Sequence, residues 1–204
     1  SFEFMFLPDQ LKKIKGSFHE YALLHFNSEL AFWYGDRSKS LEMARNAHDY
    51  LNQSPRFCFY MDHFLQYGLL LIADLELVIP EESNNDVRVL GDDITFCLEE
   101  LKNLAEFCPA NFGHKYQLLL AEKGAFQNAP MASVAKQFKK AIESAKENGF
   151  IQYQALGNEL FALYLNNHNL VDAATAYLEE AVYLYQCWGC KARILYLKKN
   201  YDQL

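Results

Sequence analysis

Two stretches of this chain carry the same spacing of apolar residues. Val134, Phe138 and Ala141 stand at i, i+4 and i+7, and Ala174, Leu178 and Ala181 repeat that spacing 40 residues later. On an α-helix such positions share one face. Small residues on either side of a bulky one let a second helix approach closely around a single plug. The pattern predicts helices packed in pairs, and it argues against a sheet. "SLEMARNAHDYL" (Ser40 to Leu51) is a looser third instance.

The rest of the chain agrees with this reading. Helical periodicity recurs almost everywhere, and alternation of period two almost nowhere. The 204 residues include only 9 Gly and 5 Pro, about half the usual share of roughly 12%. Aromatics reach 15%, with 16 Phe and 13 Tyr. Few breakers and many large side chains suit long, tightly packed helices.

About nine helices are expected from periodicity and stop signals. The first starts near Pro8 and runs to about Tyr34, with Gly35-Asp36 as the turn and Asp36 as N-cap of the second. Ser54-Pro55 restarts the chain, and an aromatic third helix runs from Arg56 to about Leu77 before the break at Pro80. The polar stretch Pro80 to Gly91 reads as a long loop. A fourth helix covers about Asp92 to Phe107, a fifth Asn111 to about Phe126, and Pro130 opens the sixth. Gly149 is placed to end that helix in the left-handed conformation. The seventh runs from Ile151 to Leu165, Asn169 with Asp172 resembles a cap for the eighth, and the ninth follows Gly189.

The fold expected is all-α: a right-handed superhelical solenoid of antiparallel helix pairs. Its packing logic is that of tetratricopeptide-type repeats, which normally run to about 34 residues. One domain spans residues 1–204, with a weak internal break at 79–91 and regular repeats over 108–204.

Charge and composition remove several classes of function. The net charge is −7 and no Lys/Arg run reaches four residues, so nucleic acid is not an expected partner. The longest uncharged apolar stretch, near Gln66 to Ala73, is far shorter than the ~20 residues that span a bilayer. No membrane partner is expected either. The start has no basic segment with a cleavage site, and its first residue is Ser1, so a piece of a longer protein is expected. Five scattered cysteines argue for a reducing, cytoplasmic setting rather than a disulfide framework.

The single Cys-x-x-Cys, Cys187 to Cys190, is the sharpest candidate for chemistry. A redox centre of that spacing puts its first sulfur at a helix N-terminus, where the dipole favours a thiolate. Cys187 lies instead at the end of an apolar helical run, where the dipole has the wrong sign. A structural zinc site needs four ligands, and no second such pair completes one. Cys58, Cys97 and Cys108 are isolated. His19-Glu20 superficially resembles a phosphoacceptor motif, but the continuation "YALLHF" lacks the residues that follow in such motifs. The histidines at 25, 48, 63, 114 and 168 show no metal-ligand spacing. Phosphate loops and a Gly-x-Ser-x-Gly elbow are absent. The carboxylate pairs Glu81-Glu82, Asp92-Asp93, Glu99-Glu100 and Glu179-Glu180 read as solvated faces. The aromatic run Arg56 to Gly68 reads as core, or as the lining of a pocket. No catalytic, cofactor-binding or metal residue is expected, and no cofactor; the residues of any binding surface stay unassigned.

From Cys108 to Leu204 the sequence becomes specific. Its marks are Asn111-Phe112 with His114-Lys115-Tyr116, then Ala121-Glu122, Glu147-Asn148 and Asn158-Glu159-Leu160. Tyr185 with Trp188-Gly189 and Lys191 completes them. In this order they resemble the C-terminal end of the helical-repeat region in very large signalling kinases. Those proteins join a Ser/Thr-kinase-like domain, an AAA-type ATPase module, helical repeats and often a GAF domain and a histidine kinase. Around its tryptophan the family reads Tyr-x-x-Trp-Gly-Ala, so Cys190 stands where alanine is usual. The resemblance implies a small packing role for Cys190, with Trp188 buried between the eighth and ninth helices. It also implies a non-catalytic relay segment whose partner is a protein, either a flanking kinase or ATPase domain or another signalling protein. A free-standing peptide-binding repeat domain and a small-molecule sensor with an aromatic pocket are the alternatives.

Overall fold

The computed structural model describes residues 18–50, 58–75 and 84–201. Among them the chain forms nine α-helices and no strand. These are α1 (Phe18–Tyr34), α2 (Arg37–His48), α3 (Cys58–Leu75), α4 (Asn84–Phe107) and α5 (Pro109–Phe126). There follow α6 (Met131–Glu147), α7 (Ile151–Asn167), α8 (Val171–Trp188) and α9 (Lys191–Asn200). The expected signals at Pro8, Ser54-Pro55, Leu77 and Pro80 lie outside the described residues.

Local chemistry explains the short links. Asp36 caps α2, its carboxylate accepting the Lys39 amide at 3.2 Å. After α6, Gly149 takes φ 77° and the Phe150 amide donates to the Ala145 carbonyl at 2.9 Å. Gly189 closes α8 in the same manner at φ 88°, with the Cys190 amide on Tyr185 O at 3.0 Å. Asparagine does the same work twice, as Asn128 at φ 54° and Asn169 at φ 61°. Asn169 therefore does not cap α8. It completes the stop of α7, while Leu170 is the N-cap and makes no side-chain capping bond.

The expected loop at 80–91 is also revised. Asn84 to Gly91 belong to α4, which begins well before Asp92. Asn84, Asn85 and Asp86 suit a first turn, where short polar and acidic side chains are favoured. Beyond them Ile94, Cys97 and Leu101 are buried at helical spacing. α5 begins at Pro109 rather than Asn111, with proline in the first turn after Cys108.

Burial sorts the helices into two kinds. α6 and α8 bury one stripe, and all six residues of the repeated spacing lie on it. α2 does likewise through Ser40, Ala44 and Ala47. In contrast, every residue from His63 to Ile72 in α3 is buried, as is Ala155 to Glu159 in α7. A helix covered on all sides is an inner one. Consecutive helices pack on each other throughout, and α1–α3, α3–α5 and α5–α7 touch as well. Gly68 and Gly157 permit two of these approaches: an added Cβ would come within 2.7 Å of Leu119 and 2.9 Å of Ile142.

The last helix departs from a row of neighbours. α9 packs on α8 and also reaches back to α1, whereas a simple solenoid keeps contacts between adjacent repeats. Trp188 belongs to this seam. It is 38% exposed rather than buried between α8 and α9. As the last residue of α8 it turns toward α1, its ring edge-on to Trp33 with centroids 5.0 Å apart.

Candidate binding site

The seam is held by charge. Glu159 sits in the middle of α7 with its side chain fully enclosed, and Arg193 of α9 meets it with two nitrogens. Arg193 Nε donates to Glu159 Oε2 at 3.0 Å and Nη2 to Oε1 at 2.5 Å. Tyr185 of α8 donates its hydroxyl to the same carboxylate at 2.8 Å. The remaining guanidinium nitrogen, Nη1, donates to Phe32 O near the end of α1 at 3.1 Å. One arginine thus joins α1, α7 and α9, with α8 supporting the carboxylate. The Phe32 and Tyr196 rings flank the guanidinium, with centroids 5.5 and 4.6 Å away. Burial opposes the charge on Arg193, and the Glu159 carboxylate overrides it, so the guanidinium holds its proton more firmly than usual. Burial and the same carboxylate push the Tyr185 hydroxyl well up.

Beside this clasp lies a cavity of about 180 Å³. The later turns of α1, α3, α5 and α7 converge on it, through Phe32, Leu69, Ala125 and Leu163. Arg37, Glu122 and Asn167, with the clasp residues Glu159 and Arg193, add polar groups to the lining, and Tyr196 and Tyr201 complete it. A lining of both apolar and polar groups suits a small amphipathic molecule.

The early turns of α3, α5 and α7 meet in a second polar cluster. Lys115 pairs with Asp62, and the Tyr153 hydroxyl donates to the same carboxylate at 3.1 Å. Lys115 also stands over the Tyr153 and Phe112 rings at 4.8 and 5.3 Å. His114 is enclosed by Phe150 and Tyr153, with centroids 4.5 and 5.1 Å away, and neither of its nitrogens finds a partner. Burial, with Lys115 beside it, lowers its pKa to about 3. Glu29 of α1 faces the cluster, and its carboxyl is raised by burial and by Asp62. Asp62, Lys115 and Tyr153 are engaged in holding helices together, and no nucleophile is paired with a base among the described residues.

The residues weighed from sequence fall elsewhere. Cys97, Cys108, Cys187 and Cys190 are free thiols, and the side chain of Cys58 lies outside the described residues. Cys187 is exposed, while Cys190 is the N-cap of α9 and packs partly buried in the seam. Asp93 accepts a hydrogen bond from Tyr67 at 3.1 Å; Asp92, Glu99, Glu179 and Glu180 are exposed. Among the described residues no three His, Cys, Asp or Glu side chains are grouped to hold a metal ion. No described helix is long and apolar enough to cross a membrane. Sequence reasoning missed Arg193, Asp62 and Glu29. The visible signal was a charge inside an apolar helical run, as in "ALGNELFALYL" and "KARILYL".

Comparison with models of protein families, with curated proteins and with solved structures finds no match in any of the three.

Proposed function

We propose that the chain is a non-catalytic helical-repeat relay segment of a multi-domain signalling kinase, working through contacts with other protein domains. The observation that carries this reading is the closure of α9 on α1. Arg193 ties α9 to Phe32, 161 positions earlier, and to Glu159 in α7. A displacement of α9 therefore bears on α1 through one hydrogen bond and on α7 through one buried ion pair. The marks shared with the repeat region of those kinases support the same reading, since His114, Lys115, Glu159 and Tyr185 among them are buried and structural.

We further infer that consecutive helices are antiparallel and that the pairs wind as a right-handed superhelix. In support, the later turns of α1, α3, α5 and α7 share one cavity, while the early turns of α3, α5 and α7 share the Asp62 cluster. Shared ends of this kind support a parallel set of α1, α3, α5 and α7, with each intervening helix running back. Links as short as Cys108 or Gly189-Cys190 favour the same arrangement.

The reading frame on both sides of residues 1 and 204 tests the kinase context. A kinase or ATPase module upstream and a GAF or histidine-kinase domain downstream are expected; a frame that lacks all of them overturns it. The purified chain should neither bind nucleotide nor transfer phosphate. A second reading, a small-molecule sensor, is favoured by the 180 Å³ cavity alone. A compound that raises the thermal midpoint of the native chain but not of a Leu163→Trp variant, in which the cavity is filled, would establish it.

A further inference from the structure

The N-terminal helices enclose a run of rings that neither the clasp nor the cavity uses. His48 of α2 and His63 of α3 face each other, with Nδ1 and Nε2 3.3 Å apart and centroids 5.5 Å apart. His25 of α1 stands 6.1 Å from His63, and Tyr67 extends the stack 4.7 Å from His48. His63 is buried and His48 half-buried. A hydrogen bond between two imidazoles has room for one proton between the facing nitrogens. Two neutral rings satisfy it. Two protonated rings set N–H against N–H, and charge against charge, in a buried space.

The surrounding groups are committed elsewhere. α1 contributes Tyr21 and Glu20, and the Glu20 carboxylate accepts from Tyr50. On α2, Arg45 pairs with Asp74, and Asp49 just beyond its end is exposed. On α3, Asp62 is held by Lys115 and Tyr153, and on α4 Asp93 accepts from Tyr67 and lies near Cys97. No carboxylate bonds His48 or His63 among the described residues. Burial lowers the pKa of both: at His48 it outweighs the pull of Asp93 and Asp49, and at His63 the other two imidazoles add to it.

We propose that the His48–His63 pair is an acid-operated release of α2 from the inner helices, closed while both rings are neutral and opened when both carry a proton. The sign follows from the direction of the shifts. Folding disfavours protonation, so the closed state is fully favoured above the ordinary histidine pKa of about 6.5 and loses ground as pH falls below it. α2 is suited to release. It has 12 residues and buries one stripe, and its other polar ties are few: the reciprocal bonds between Ser28 and Ser40, each hydroxyl donating to the other's carbonyl at 2.8 Å, the Gln66 amide on Ser40 Oγ at 3.2 Å, and the Arg45–Asp74 ion pair.

Amide hydrogen exchange on the whole chain at pH 7.5 and 5.0, corrected for the intrinsic pH dependence of exchange, tests the proposal. Protection of α2 should fall by about tenfold or more relative to α7, one pKa unit being a factor of ten. A variant carrying His48→Phe and His63→Phe keeps stacked rings without the titration, and should keep α2 protected at both pH values. Equal protection of native α2 at both pH values overturns the proposal, as does a loss shared equally with α7, or an acid step of undiminished size in the variant. Independently of any variant, the imidazole NMR signals of His48 and His63 must titrate below pH 6.5; titration of either at or above that value overturns it.

Discussion

Gly35 and Gly149 both hold a left-handed backbone, at φ 79° and 77°, but a methyl group would meet different surroundings at each. At Gly149 nothing lies within 4 Å, whereas at Gly35 the Tyr196 ring of α9 lies directly over the site. Gly149→Ala should cost only the backbone strain, about 1–2 kcal/mol. Gly35→Ala should cost clearly more and lift α9 from the seam; urea unfolding of the two variants checks the order. The seam residues divide in the same manner. Cys190→Ala exchanges one small packed side chain for another and should cost below about 1.5 kcal/mol. Trp188 is already 38% exposed, so Trp188→Ala should forfeit partial burial and one aromatic pair, about 1–3 kcal/mol, rather than the larger loss of a fully buried ring. Thermal unfolding of both, with and without reductant, reads this directly. A Cys187–Cys190 disulfide would make the midpoint depend on reductant and end the packing account of Cys190.

At the scale of the element, α9 is the revealing case. It has ten residues, too few to be stable alone. Its anchorage comes from Leu197, from Tyr196 and from Arg193 on Glu159. Glu159→Ala leaves a buried guanidinium without its partner and should cost about 3–5 kcal/mol. Arg193→Ala should in addition free α9, seen as fast amide exchange over residues 191–200 while α6 and α7 stay protected. The sequence makes α6 and α8 legible because small-large-small spacing survives intact in a helix that buries one face. The stop at Gly149 and the cap at Asp36 are local chemistry and were equally readable. The start of α4 was not, because Asn84, Asn85 and Asp86 look the same in a loop and in a first turn. Nor was the role of Asn169, which shares with Asp172 the spacing of a cap but serves the preceding helix instead. The clasp was hidden for another reason: Glu159 and Arg193 show as charges in apolar runs, but their pairing is set by how the inner helices close.

For the whole molecule, the distribution of histidines sets the response to acid. Burial lowers His25 to about 4, and burial with Lys115 lowers His114 to about 3. Unfolding restores an ordinary value near 6.5, so the unfolded chain takes up these protons first. Stability is then complete above about pH 6.5 and falls on acidification, by about 1.4 kcal/mol per pH unit for each of these two groups. Glu29, whose carboxyl is raised, opposes this only nearer the carboxylate range. The urea midpoint should therefore be lower at pH 5.5 than at pH 7.5; a midpoint that rose would contradict the burial of these rings. Composition alone could not foresee this, because six histidines at the surface would titrate with little effect on folding.

The chain has just two tryptophans, and both lie in the seam, Trp33 on α1 and Trp188 at the end of α8. Its intrinsic fluorescence is thus a reporter of closure, while far-ultraviolet circular dichroism reports the helices. The two events need not keep the same time. From α4 onward neighbouring helices meet across links of at most four residues, but the seam joins positions 161 apart. The entropy of closing so long a loop is paid before its contacts form, and topologies with distant contacts fold slowly. On refolding, helical dichroism should return first and the tryptophan emission later, with Arg193→Ala removing the late phase and sparing the early one. Simultaneous return of both signals would mean that the ends close in the same step as the helices form.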